Sequence, residues 1–421
     1  MVGAPVAKAC PGALFAGEFS PVLQGPRAGL RLFTKAGPAS VGWRTIPLQV
    51  DPVDSDGMLI FFDDAAYLGK NIAQTDYLTF RPEDFGKAFT PGRDHLPCQG
   101  AVVYELKDEA RGSYGYLTNC GPLAPQALSR PPAVAFDRTH NLLESAFYRY
   151  RFNSDNYMQF DSISFKNLQN AWDLIAKDSR LLIRADVKNF FTMSFDSRQI
   201  ESHLEASRMG PVGDLARLSF YLRIFVFKIQ MSLSTDVGFY ADSGHIPMMV
   251  NIPIDAFNYL HPASGILYSW VLSPLAQAGK TDIHMPRLDV GLVKKGAKEL
   301  AKAGLTYCNG ADCLFRYTVD VRGRRLSMVL GVKRDLVAKG FFPLYVDDVS
   351  HSREAMGWDP DATPGSRHGM YFEVSGLPSG GHPWDFWLKL GPQTGDTSVC
   401  PTPVRIARLD TRNPRKPTPA R

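Results

Sequence analysis

Residues 217–250, RLSFYLRIFVFKIQMSLSTDVGFYADSGHIPMMV, constrain the fold more than any other part of the chain. Aromatic and β-branched residues fill the stretch, and such residues favour an extended backbone. Between Leu218 and Leu233 both alternating faces are largely apolar, with Tyr221, Phe225, Phe227 and Ile229 on one and Leu218, Phe220, Leu222 and Ile224 on the other. A strand that is apolar on both faces is buried on both. The pattern predicts an inner strand of a sandwich that turns at 241–244 and returns through 246–250. Arg223 and Lys228 interrupt the run, and their charges are simplest to place at a sheet edge or reaching to solvent.

The rest of the chain repeats the theme. Short alternating runs occur at 29–34, 43–50, 101–106, 113–118, 147–152, 157–165, 181–195, 314–321, 325–332, 341–346, 370–374 and 386–390. Polar links at 107–112 and 320–324 read as hairpin turns. Only 292–303 (LVKKGAKELAKA), stopped by Gly304, carries a clear helical pattern. Residues 197–206 suit either a short helix or a polar-faced strand. Many short strands without βαβ alternation predict an all-β fold. We expect a large antiparallel β-sandwich with a smaller N-terminal β region and one or two short helices. The expected boundaries are an irregular segment at 1–26, the N-terminal β region at 27–125, the main sandwich at 126–391 and a basic, Pro-rich tail at 392–421.

The net charge is +5, and Arg412, Arg415, Lys416 and Arg421 contribute four positive charges in the last ten residues. The body is therefore nearly balanced, which disfavours nucleic acid as a partner. No window holds ~20 uncharged apolar residues, so no membrane span is expected.

The six cysteines do not have the spacing of a zinc site. A hairpin centred near residue 109 sets Cys98 opposite Cys120. Cys308 and Cys313 bracket the turn Asn309-Gly310-Ala311-Asp312 and could close a small loop. Cys10 and Cys400 remain, and could tie the two ends together. Paired cysteines belong to an oxidising compartment. Ala7-Lys8-Ala9 before Cys10 resembles a signal-peptidase site without its leader. The two together predict a periplasmic or extracellular location.

Three constellations could carry chemistry. Asp51, Asp54 and Asp56, ahead of Gly57, cluster as oxygen donors for a structural calcium ion would, although Val53 departs from EF-hand spacing and the same residues suit a plain turn. Asp236, Asp242 and His245 fall on two strands joined by the 241–244 turn. A carboxylate–histidine pair there could move protons, or simply cap the turn. His382, Trp384, Asp385 and Trp387 combine indoles, a carboxylate and a glycine turn, a set that suits a sugar face or, equally, a core plug. Asp347 and Asp348 with His351 form a weaker cluster of the same kind. No nucleophile elbow, P-loop or dinucleotide fingerprint occurs. The chain therefore reads as a non-catalytic cell-envelope or surface β-protein that binds a glycan or assembles with other envelope subunits. The alternative is a glycan-active hydrolase or lyase using paired carboxylates on a sandwich.

Overall fold

The structure, a computed structural model, describes residues 13–15, 19, 26–36, 42–52, 59–61, 70–90, 94–95, 97–98, 102–121, 133–167, 169–188, 190–196, 199–224, 227–252, 255–262, 264–347, 367–392, 404–409 and 418–419. It is all-β, built of antiparallel sheets with a few short helices. The chain divides into two compact units. The first contains Met1–Ala133, Arg208–Gly213 and Asp396–Arg421; the second contains Val134–Ser207 and Asp214–Gly395.

The first unit begins with β1 (Ala13–Phe15), β2 (Leu30–Lys35), β3 (Trp43–Ile46), β4 (Leu48–Asp51), β5 (Tyr77–Phe80), β6 (Val103–Asp108) and β7 (Ser113–Asn119). The second unit follows with β8 (Val134–Asp137), β9 (Leu142–Ser145), β10 (Tyr148–Phe152), β11 (Phe160–Lys166), β12 (Trp172–Asp186), β13 (Thr192–Phe195), β14 (Ile200–Met209), β15 (Gly213–Ile224), β16 (Phe227–Tyr240), β17 (Ser243–Ile252) and β18 (Gly265–Leu272). It continues with β19 (Lys280–His284), β20 (Cys308–Asn309), β21 (Asp312–Val321), β22 (Arg324–Lys333), β23 (Pro343–Val346), β24 (Arg367–Glu373) and β25 (Gly380–Pro392). The chain then returns to the first unit with β26 (Val404–Leu409) and β27 (Thr418–Pro419).

In the first unit, one sheet has the order β27-β26-β6-β7-β2-β3 and another the order β1-β5-β4. Leu32, Ile46, Leu78, Phe80, Leu106 and Leu117 fill the core between them. The predicted hairpin at 107–112 is present: Asp108 pairs with Ser113 across it. Cys98 and Cys120 are disulfide-bonded and pack beside Phe33, Val103 and Tyr116. Within the chain read as a tail, β26 adds to the edge of β6.

In the second unit, one sheet runs β23-β24-β18-β12-β11-β10-β9-β8, with β13 paired to the far half of β12. The other runs β14-β15-β16-β17-β25-β22-β21-β19, with β20 beside β21. Tyr150 of the first sheet meets Phe239 of the second at 5.9 Å between ring centroids, and Tyr268 meets Phe386 at 6.3 Å. Tyr148 ties the sheets further, its hydroxyl donating to the Tyr240 carbonyl at 2.9 Å. The interior between the sheets holds a cavity of about 10 Å³, lined by Tyr150, Phe160, Tyr268 and Phe386 among others, room for about one water molecule.

Two expectations need correction. The stretch read as one long strand from 218 to 233 falls in two strands, β15 and β16, which are hydrogen-bonded neighbours in one sheet. No Gly or Pro lies within 218–233, so alternation alone could not reveal the division. The predicted turn at 241–244 is real, lying between Tyr240 and Ser243. The helix read at 292–303 is two, Val290–Lys294 and Ala297–Gly304. Gly296 at φ 89° separates them, a conformation that L side chains rarely adopt. Residues 200–209 form a strand, so the polar-faced alternative holds there. Cys308 and Cys313 face each other across β20 and β21 and are bridged.

Candidate functional site

The second unit brings residues from two of the sequence clusters together. On β25, Phe386 points into the sandwich toward Tyr268, and Trp384 packs on Phe372 and Phe341. Strand alternation turns Asp385 and Trp387 to the opposite face. Across the ladder, His245 of β17 stands directly opposite Trp387, and Pro247 opposite Asp385. The imidazole of His245 lies flat on the indole, with centroids 3.7 Å apart and an interplanar angle of 9°. Its Nε2 is 2.9 Å from Asp385 Oδ1. An ionised carboxylate only accepts, so Nε2 carries the donated proton. The three side chains are largely buried, so the imidazole is held by a stacked ring and a hydrogen bond at once.

The other members of those clusters are engaged elsewhere. Asp236 lies on β16 beside the strand of His245, but its carboxylate takes a two-point contact from Arg217 of β15, at 2.7 and 2.9 Å. Asp242 accepts from the hydroxyl of Ser243 at 3.3 Å. His382 is buried, with Nε2 donating to the Pro378 carbonyl at 2.8 Å, so it fastens the turn leading into β25. Asp347 pairs with Arg287. Asp348, His351, Cys10 and Cys400 lie outside the described residues, as do Asp54 and Asp56 of the acidic loop and the side chains of Arg223 and Lys228.

Asp51 is buried in the first unit and has a different set of partners. It accepts from Gln49 Nε2 at 3.0 Å, from Thr79 Oγ1 at 3.1 Å and from Arg208. Gln49 Oε1 in turn accepts from the backbone amides of Val212 and Gly213 at 3.2 and 3.0 Å. No spacing in the sequence links Gln49 to Gly213, so this network was not foreseeable. Among the described residues no three His, Cys, Asp or Glu side chains converge as metal ligands.

Two further groups stand out. Asp214, at the start of β15, is buried, and among the described residues its Oδ1 has no hydrogen-bond partner. Burial pushes its carboxyl up to about 7, with Arg138 and the Leu215 amide opposing the shift. The second group lies on the outward side of β10, β11 and β12. Tyr148, Tyr150 and Phe152 are buried while Arg149 and Arg151 between them face out. Lys166, Trp172 and Lys177 join them on the neighbouring strands. The alternation Tyr148-Arg149-Tyr150-Arg151-Phe152 was the available sequence signal.

No known protein family and no curated protein matches the sequence. Among solved structures, the chain is similar to an alpha-mannosidase from Enterococcus faecalis, at 8% identity and a TM-score of 0.31, over 90% of this chain and 44% of that one. It is also similar to a protein in the glycosyl hydrolase family 38 from the same organism, at 9% identity and a TM-score of 0.36, over 96% of this chain and 49% of that one. The chain spans less than half the length of either. Among the described residues no helix is long and apolar enough to cross a membrane.

Proposed function

We propose that this chain is a non-catalytic, extracytoplasmic envelope or surface β-protein that binds a glycan on an outward sheet face. The observation that carries the reading is the pairing of its candidate carboxylates. Asp236 is held by Arg217 and Asp385 by His245, each by a neighbour on its own sheet. Glycoside hydrolysis needs two carboxyl groups roughly 5–10 Å apart across a bound sugar, and these two are already committed to other partners. The disulfides Cys98–Cys120 and Cys308–Cys313 support an oxidising compartment. A structural calcium ion at Asp51, Asp54 and Asp56 stays part of the proposal. A melting scan with and without chelator tests it, and an unchanged midpoint counts against it.

The functional test is a glycan array probed with the disulfide-intact protein, run beside an assay for release of reducing sugar. Retention of a glycan without product is expected. Time-dependent product release would favour the hydrolase or lyase alternative.

Assembly with other subunits has its own supporting observation. Among the described residues β13 pairs with β12 alone, and Phe190 and Phe191 just before it and Met193 on it are 79%, 55% and 37% exposed. An open edge carrying exposed aromatics is a ready surface for another chain. Solution mass by light scattering, with and without Phe190→Ser and Phe191→Ser, tests that reading.

A further inference from the structure

The outward face of β10, β11 and β12 concentrates positive charge. Register places Arg149 opposite Ser164 and Ser164 opposite Leu174. The next row holds Arg151, Ser162 and Lys177, and a third pairs Lys166 with Trp172. Four cations thus share three adjacent strands with two serine hydroxyls and one indole. Strands lie about 4.8 Å apart and alternate residues about 7 Å apart along a strand, so Arg151 and Lys177 are separated by roughly 10 Å across β11.

Glu144 on β9 belongs to the same face and pairs with Arg149 at 2.6 Å, and Asp161, exposed at the β11 bulge beside Ser162, adds a second carboxylate. Asp161 accepts from the neutral amide of Asn153 at 3.0 Å, a contact that cancels no charge, whereas Asp178 is paired to Arg367 and to Arg180. Neither Arg151 nor Lys177, both exposed, has an ion-pair partner among the described residues. Trp172 orders the rest: the Arg149 guanidinium sits 4.2 Å from its ring centroid and Lys166 Nζ 5.6 Å. Cations held over an aromatic ring lose less side-chain entropy when they meet a ligand.

We propose that this face binds an acidic polysaccharide, one bearing sulfate or carboxylate groups along its length. The inference rests on the glycan-binding reading and specifies its ligand class. Charge complementarity carries it, because four cations against the two carboxylates Glu144 and Asp161 favour a polyanion over a neutral sugar. Ser162 lies between Arg151 and Lys177 and Ser164 beside Arg149, where they meet the sugar hydroxyls that separate the anionic groups. Nucleic acid fits less well. Single strands bind through stacking on open rings, and the Trp172 ring already faces Arg149 and Lys166.

The test uses the full, disulfide-intact chain. Calorimetry measures binding of a heparin-derived oligosaccharide, polygalacturonate, neutral dextran and mannan, and a single-stranded oligonucleotide of matched charge. Heparin or polygalacturonate should bind, weaken with added salt, and bind about tenfold more weakly to Arg151→Ser/Lys177→Ser. Both positions are exposed and unpaired, so the melting temperature should not move. Equal acidic-glycan binding by wild type and double variant overturns the proposal, as does tighter binding of the oligonucleotide. Binding of neutral glycans without acidic preference overturns this inference and leaves the broader reading standing. Failure to bind any of the glycans overturns both.

Discussion

The imidazole of His245 is stacked on the indole of Trp387 at 3.7 Å, joining β17 to β25 through side chains as well as the ladder. Asp385 fixes the ring from its edge. Stacking contributes about 0.5–1.5 kcal/mol beyond buried area, and a net hydrogen bond to a charged group adds about 1.5–3 kcal/mol when buried. His245→Ala should therefore destabilise the fold by about 2–4 kcal/mol in urea unfolding. His245→Phe should recover the stacking part and not the carboxylate part. A double-mutant cycle with Asp385→Asn reads the coupling. Coupling within error of zero would mean that the two groups act independently.

Asp214 makes stability depend on pH. Its carboxyl is raised to about 7 in the folded chain, chiefly by burial, against about 3.9 when unfolded. Between those values the native state keeps a proton that the unfolded chain has released. Stability therefore falls as pH rises through that window and is flat above it. The full linkage is on the order of 4 kcal/mol, and incomplete desolvation reduces it to about 2–4 kcal/mol. Asp214→Asn should leave stability at pH 4 little changed and raise it at pH 8. Parallel wild-type and variant profiles from pH 4 to 8 would count against a buried, proton-holding Asp214.

The two disulfides should differ in worth because they close loops of different length. Cys98 and Cys120 are 22 residues apart, Cys308 and Cys313 five. In the chain-entropy account, cross-linking 22 residues stabilises by about 3 kcal/mol and five residues by about 2 kcal/mol. The variant Cys98→Ser/Cys120→Ser should thus show the lower denaturant midpoint of the two paired variants. The reverse order would point to native-state contacts rather than loop closure.

What the sequence revealed was local. The hairpins at 107–112 and 320–324 were readable because turn residues and alternation fall within a few positions of each other, and both disulfides in the described chain follow from such hairpins. The division of 218–233 into two paired strands was not readable, because its residues are strand-like throughout. Contacts set by register were equally hidden. His245 and Asp385 are 140 residues apart, and only the placement of β25 beside β17 makes them neighbours. The basic face is intermediate: Arg149 and Arg151 show an outward face in the sequence, but Lys166 and Lys177 join it only once β11 and β12 are laid beside β10.

Gln49 tests how much one buried amide can hold. Its Oε1 accepts two backbone amides of the 208–213 segment while its Nε2 donates to Asp51. Gln49→Ala leaves two buried N–H groups unmatched and strips Asp51 of one donor, for a loss of about 2–4 kcal/mol. Gln49→Glu keeps the acceptor but replaces the donor with a second carboxylate against Asp51, so a like-charge pair is buried. One of the two must then hold a proton. Gln49→Glu should be less stable than Gln49→Ala at pH 8 and should regain stability as pH falls toward 5. The comparison needs thermal melts of both variants across that range. A Gln49→Glu melting temperature equal to wild type at pH 8 would mean that water, not Asp51, faces the Gln49 amide nitrogen.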